Sequence, residues 1–98
     1  MACAIEWTEN ARDDLQQIVA YLKENWSLKV AENFIKQVNK TIDLLSVFPL
    51  MGMKSNKDTR VRQIVITKQN LLFYTFDSHT ITILDFFDTR ANPESSIY

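Results

Sequence analysis

The sequence predicts an α+β domain in the order strand, helix, helix, strand, strand, strand, with an N-terminal helical hairpin packed on one face of an antiparallel sheet. Two patterns carry that expectation. Between residues 9 and 47 apolar residues recur every three or four positions, the period of an amphipathic helix. After residue 59 β-branched and aromatic residues gather into three short runs, as strands require. The length, 98 residues, sets the number of domains at one, because chains divide only when much longer.

Residues 4–7 (Ala-Ile-Glu-Trp) read as a short strand ending at Thr8, a good N-cap, with Glu9 placed where a negative charge suits the helix dipole. Ala11, Leu15, Ile18 and Leu22 then form an apolar stripe widened by Val19 and Trp26. Asp13, Asp14, Gln16, Gln17, Lys23 and Glu24 are assigned mostly to the other faces. The first helix is expected over about 9–25. Ser27 caps a second helix whose stripe is Ala31, Phe34, Ile35, Val38, Ile42 and Leu45. Pro49 cannot continue it and disfavours helical angles at Phe48, so it ends near residue 47. So short a turn between two long helices makes them antiparallel neighbours.

Residues 49–58, which include the only glycine, Gly52, read as a loop. Strands are expected over 60–67, 71–77 and 80–87, linked as hairpins by Lys68-Gln69-Asn70 and Asp77-Ser78-His79. The segment 88–98 reads as irregular. The middle strand is apolar on both faces, with Leu72, Tyr74 and Phe76 on one and Leu71 and Phe73 on the other. A helical hairpin covers one face only. The second is left for the tail, another copy of the chain (a homodimer) or a partner, because large apolar patches mark interaction sites.

A hydrophobic content of 46% with 23% charged residues describes a globular protein and excludes a disordered one. Cys3 is the one cysteine, so no intrachain disulfide forms, in keeping with a reducing compartment. The start carries no signal-peptide pattern, and no apolar run approaches the roughly 20 residues that span a bilayer. The reading is a cytoplasmic protein without membrane association. Net charge is −1, but its distribution is uneven. Residues 1–49 hold five Lys/Arg against seven Asp/Glu, whereas residues 54–68 hold Lys54, Lys57, Arg60, Arg62 and Lys68 against Asp58 alone. Such a stretch steers a polyanion or simply forms a solvated face.

Most catalytic constellations are excluded. His79, the one histidine, falls at a hairpin tip and lacks the nucleophile and orienter of a triad. One cysteine and one histidine cannot supply a closed zinc site, and one glycine cannot build a phosphate-binding loop, so no metal or cofactor is expected. Asp13 and Asp14, as helix neighbours, point in different directions and are not read as a carboxylate pair. The cations remain. Arg60 and Arg62, two apart on one strand, share a face. Lys54 and Lys57 approach from the loop, and Arg90 follows the last strand. Guanidinium groups grip phosphates through paired hydrogen bonds, and Tyr74 and Tyr98 can stack on a base or donate a hydrogen bond. Pairing of the arginines with Asp58, Asp85 and Asp88 is an equally good account of their presence.

Taken in order, these motifs resemble the RelE/ParE superfamily of toxins from type II toxin–antitoxin, plasmid-stabilisation-like systems. Trp7-Thr8 with Ala11, Asp14-Leu15, Ile18 and Tyr21-Leu22 is similar to its first helix. Ala31 with Phe34-Ile35, Leu44-Leu45 and Phe48-Pro49 with Gly52 is similar to its second helix and loop. Arg60 to Ile66, Leu72 to Tyr74, and Ile81 to Phe87 followed by Asp88-Thr89-Arg90 and Asn92-Pro93 are similar to its sheet. The resemblance implies a toxin that causes growth arrest and is neutralised by a cognate antitoxin, which lies in apolar grooves or adds a strand to the sheet edge. It implies one of two targets. RelE-like members are ribosome-dependent mRNA endonucleases (mRNA interferases), and ParE-like members are DNA gyrase inhibitors. Carried over from the nuclease pattern, Arg62 and Arg90 are the catalytic candidates, while Lys54, Lys57, Arg60, Tyr74 and Tyr98 are candidates for target or partner binding. Leu71 and Ile64 stand where nuclease members often place an arginine and a lysine, and Tyr98 lies beyond the place of a tail tyrosine. That depletion, with the long hairpin, favours the ParE-like branch; a degenerate, non-toxic partner-binding member is the third reading.

Overall fold

The computed structural model describes residues 2–88. Its elements are β1 (Ala4–Trp7), α1 (Glu9–Asn25), α2 (Leu28–Val47), β2 (Met53–Lys54), β3 (Arg62–Thr67), β4 (Asn70–Asp77) and β5 (Thr80–Asp88). Both helices begin at the residues the capping chemistry indicates. The Thr8 hydroxyl accepts from Ala11 N at 3.0 Å, and the Ser27 hydroxyl accepts from Val30 N at 3.1 Å. Each thereby satisfies one of the backbone donors that a helix start leaves without an internal partner. The second helix ends at Val47, immediately before the Phe48-Pro49 pair.

The five strands form one sheet in the order β1-β5-β4-β3-β2. Three of its pairings are antiparallel, but β1 runs parallel to β5, with Ile5 opposite Ile81 and Trp7 opposite Ile83. The sheet is therefore mixed, which corrects the expectation of a purely antiparallel one. The helical hairpin between β1 and the later strands is what permits this, since a parallel neighbour requires a long crossover rather than a tight turn. A second correction concerns the loop after Pro49, which contains the two-residue strand β2. Being so short, β2 pairs only with Arg62 and Gln63 of β3. The β4–β5 hairpin turns through Ser78 and His79, both at positive φ (48° and 70°), as a two-residue primed turn demands.

Cross-strand partners share a face, so Ile64, Leu72 and Phe86 lie in one row and Tyr74 and Ile83 in the next. These side chains meet Ala11, Leu22, Ala31, Phe34, Val38, Ile42 and Leu45 of the helices in one core. Trp7 extends it against Phe86, with ring centroids 5.6 Å apart. Each fully buried leucine or isoleucine contributes roughly 1.5–3 kcal/mol relative to exposure. On the face away from the helices, Phe73 is fully buried and meets Phe87 edge-on at 6.4 Å. The centre of that face is therefore not open. Exposed apolar side chains on that face are Val65 and Met53, near the outer edge. No helix among the described residues is long and apolar enough to cross a membrane.

The helical layer is tied to β5 where β1 stops. Thr8 N donates to the Ile83 carbonyl at 3.1 Å, and its hydroxyl donates to the carbonyls of Ile83 (3.0 Å) and Leu84 (2.9 Å). One threonine thus caps α1 and continues the pairing of β5. Thr8→Ala is expected to destabilise the fold by about 2 kcal/mol, from a lost cap and unpaired carbonyls. Thr8→Ser should restore most of that loss, with urea midpoints as the readout.

Candidate target-binding site

A row of polar side chains crosses the outer part of the sheet, because Lys54 lies opposite Arg62 and Arg62 opposite Tyr74. Along the row, exposure falls from Lys54 at the edge, through half-buried Arg62, to Tyr74 at 0%. Both inner members hold the loop after α2. Arg62 Nη1 donates to the carbonyls of Gly52 at 2.8 Å and Leu50 at 3.3 Å. The Tyr74 hydroxyl donates to the Pro49 carbonyl at 2.8 Å and accepts from Gly52 N at 2.9 Å. Burial pushes the Tyr74 hydroxyl above its ordinary pKa, against the lowering effects of Gly52 N–H and Arg62, so it remains the donor Pro49 needs. Gly52 is required by space. A Cβ there would stand 2.6 Å from the Tyr74 hydroxyl oxygen and 2.9 Å from the Gln63 carbonyl oxygen.

The sequence-derived candidates fall into three groups. Lys54, at the outer end of the row, and Lys57 are exposed. Arg60 is also exposed, but it lies before β3, so it does not share a strand face with Arg62. It grips Asp58 instead, through Nε at 3.1 Å, Nη2 at 2.9 Å and its own backbone N–H at 3.0 Å. That pairing holds the Asp58 carboxyl below its usual range. Tyr74, a candidate for stacking on a base, is interior, with its hydroxyl committed to the loop. Arg90 and Tyr98 lie outside the described residues. Among the described residues no group of three or more His, Cys, Asp and Glu side chains could hold a metal ion.

Around the basic residues the surface is apolar. Leu44, Val47, Phe48, Leu50, Met51 and Met53 are all exposed, Met53 to 72%. They come from the end of α2, the loop and β2. Exposed apolar surface beside charge is what a protein-binding face presents. With Arg62 and Tyr74 holding backbone, the arrangement suits recognition better than bond chemistry.

Sequence reasoning missed the role of Asp14. Its carboxylate accepts from Phe86 N at 3.3 Å, and its neighbouring carboxyl is Asp85, 71 positions along the chain, rather than Asp13. Leu84 interrupts the register between Tyr74 opposite Ile83 and Phe73 opposite Asp85, a bulge beside this site. Burial first, and then Asp85, raise the Asp14 pKa from 3.8 to about 6. The available signal was positional. Asp14 follows Ala11 by three and precedes Ile18 by four, which puts a charge on the buried stripe of the helix.

A sequence profile for the ParE toxin of type II toxin–antitoxin systems, parDE, matches residues 5–93. No curated protein matches the sequence. The fold is similar to the chromosomal ParDE system from P. aeruginosa, at 17% identity and a TM-score of 0.75, covering 89% of this chain and 96% of that one. It is similar to the RelBE2 toxin–antitoxin complex from Mycobacterium tuberculosis, at 18% identity and 0.64, covering 90% and 99%. It is also similar to a mutant E. coli toxin RelE in the free state, at 13% identity and 0.63, covering 95% and 90%. At such identities the likeness is one of fold.

Two outcomes follow from this geometry. Gly52→Ala should lower stability by about 1–3 kcal/mol, because the methyl must displace backbone or the packed Tyr74 ring; Tyr74→Phe in the same background should relieve part of it. For Asp14, the raised pKa means that the folded state binds its proton more tightly than the unfolded chain. Its contribution is therefore complete below about pH 4 and is lost as pH rises to about 6. Asp14→Asn should match wild type at pH 4 and exceed it at pH 7 by on the order of 1 kcal/mol, after solvent screening of a half-buried group. Denaturation at the two pH values checks it.

Proposed function

Because the chain belongs to the family of ParE toxins of type II toxin–antitoxin systems, we propose that it is held inactive by a cognate antitoxin and, once released, arrests growth by binding DNA gyrase. The observation that carries this reading is the commitment of the inner cation, Arg62, and of the Tyr74 hydroxyl. A metal-independent nuclease needs such groups aimed at the scissile phosphate and its leaving oxygen. Here Arg62 spends hydrogen bonds on Leu50 and Gly52, and the Tyr74 hydroxyl is bonded to Pro49 and Gly52. What is left outward is the apolar surface from Leu44 to Met53 with Lys54 and Lys57, suited to docking on a protein. Leu71 and Ile64, where the nuclease pattern places cations, point the same way.

The antitoxin has two routes onto the chain. One is an apolar groove along the helices. The other is the outer side of β3, which the two residues of β2 cover only at Arg62 and Gln63. The similar RelBE2 structure is itself a toxin–antitoxin complex.

The second reading is a RelE-like, ribosome-dependent mRNA endonuclease, favoured by the fold likeness to RelE and by the exposed cations at Lys54, Lys57 and Arg60. Induced expression separates the readings. The expected result is growth arrest with a DNA-damage response, relief by the product of the adjacent open reading frame, and inhibition of gyrase supercoiling by the purified chain. Cuts in mRNA at codon boundaries with unimpaired supercoiling would establish the nuclease instead. Absence of arrest would mark a non-toxic, partner-binding member.

A further inference from the structure

Toward the start of β4, away from the basic row, α1 and the sheet enclose a depression of about 500 Å³. Ile18, Leu22 and Phe86 give it apolar walls, and Asp14, Asn70 and Asp88 give it polar ones. Asn70 is 6% exposed. Its Oδ1 accepts from the Thr67 hydroxyl at 2.8 Å, whereas its buried Nδ2 has no hydrogen-bond partner. Reversing the amide only moves the deficit to Oδ1, since Nδ2 would then take the Thr67 hydroxyl. A buried amide left half-satisfied is destabilising, and folded proteins retain few such groups.

The electrostatics at Asp14 point the same way. Asp14 bonds Phe86 N, and burial together with the adjacent Asp85 lifts its pKa to about 6. Near neutral pH it is ionised against its environment, so a cation brought beside it is favoured. Beyond Leu22 and Asn70 the depression runs into a second one, walled by Trp26, Val30, Phe34 and Ile66. Trp26 is 64% exposed and Val30 38%. A ligand would therefore meet negative charge and an orphaned amide at one end and bare apolar surface at the other.

We infer that this groove receives a segment of the antitoxin in which an arginine or lysine enters beside Asp14, its backbone carbonyl accepts from Asn70 Nδ2, and adjoining apolar residues cover Trp26 and Val30. The Asp14 carboxylate selects a cation, and the apolar walls favour arginine, whose guanidinium is less strongly hydrated than an ammonium and forks onto a carboxylate. The partner's identity rests on the antitoxin reading above; the chemistry of the groove does not.

The test has two arms. In the first, the ¹⁵N-labelled chain is titrated with N-acetyl-arginyl-leucinamide and with its citrulline counterpart, which is neutral but nearly the same shape. The arginine probe should shift the Asn70 side-chain amide and bind roughly tenfold more tightly than the citrulline probe, and Asp14→Asn should abolish that preference. Equal binding of the two probes, or shifts that leave Asn70 unmoved, would overturn the inference. Shifts at Asn70 that depend on protein concentration alone would assign the groove to a second copy of the chain and overturn it too. In the second arm, Asp14→Asn should weaken binding of the adjacent gene's product roughly tenfold, and unchanged affinity would remove the groove from that interface. If that product fails to bind even wild type, the antitoxin reading falls, while the dipeptide comparison still judges the groove.

Discussion

The architecture turns on what happens to β5 after β1 ends. β1 pairs with Thr80–Ile83 and stops at Trp7, while β5 continues to Asp88. A central strand cannot leave its backbone groups unpaired against a helix. Here the start of α1 replaces the missing strand. The Thr8 backbone and hydroxyl serve Ile83 and Leu84, and one turn and a half further on Asp14 serves Phe86 N. The helix is fixed in place and direction by polar bonds before its apolar stripe is considered, and α2 follows it through the short turn at Trp26 and Ser27.

That solution leaves a carboxylate against the core. Asp14 must approach Phe86, and Asp85 follows the bulge at Leu84, so two acids come together beside an apolar wall. The burial of Asp14, and then the adjacent Asp85, lower stability at neutral pH, a penalty that a bound cation would offset. The groove inferred to receive the antitoxin thus coincides with a place where the isolated fold is under electrostatic strain. Proteins whose working state is a complex can hold such a position, because part of the stabilisation arrives with the partner.

Elsewhere on the same face of the sheet the logic is reversed. Arg62 and Tyr74 are the residue types that phosphoryl chemistry employs, yet here they hold the loop 49–52 in place. Gly52 sits so close to Tyr74 that the loop admits no side chain there. With that loop held, Leu50, Met51 and Met53 stand outward beside Lys54. The same hydrogen bonds that engage Arg62 and Tyr74 hold the loop whose apolar side chains face outward.

What the sequence determined by itself was local. Thr8 and Ser27 mark helix starts, Phe48-Pro49 marks a helix end, and the two hairpin turns separate the last three strands, because each signal acts through neighbours within a few positions. The family resemblance was legible for the same reason, as a succession of such local motifs. Tertiary structure decided the rest. The parallel pairing of β1 with β5, the two-residue β2, the burial of Tyr74 and Phe73, and the meeting of Asp14 with Asp85 all depend on pairing and packing beyond near neighbours. Spacing along a sequence carries no record of which strand edge a threonine or a carboxylate will meet, since that depends on how whole layers dock. Asp14 and Tyr74 mark the divide: residue type suggested solvent for one and a ligand for the other, and packing gave the first a backbone amide and the second a loop to hold.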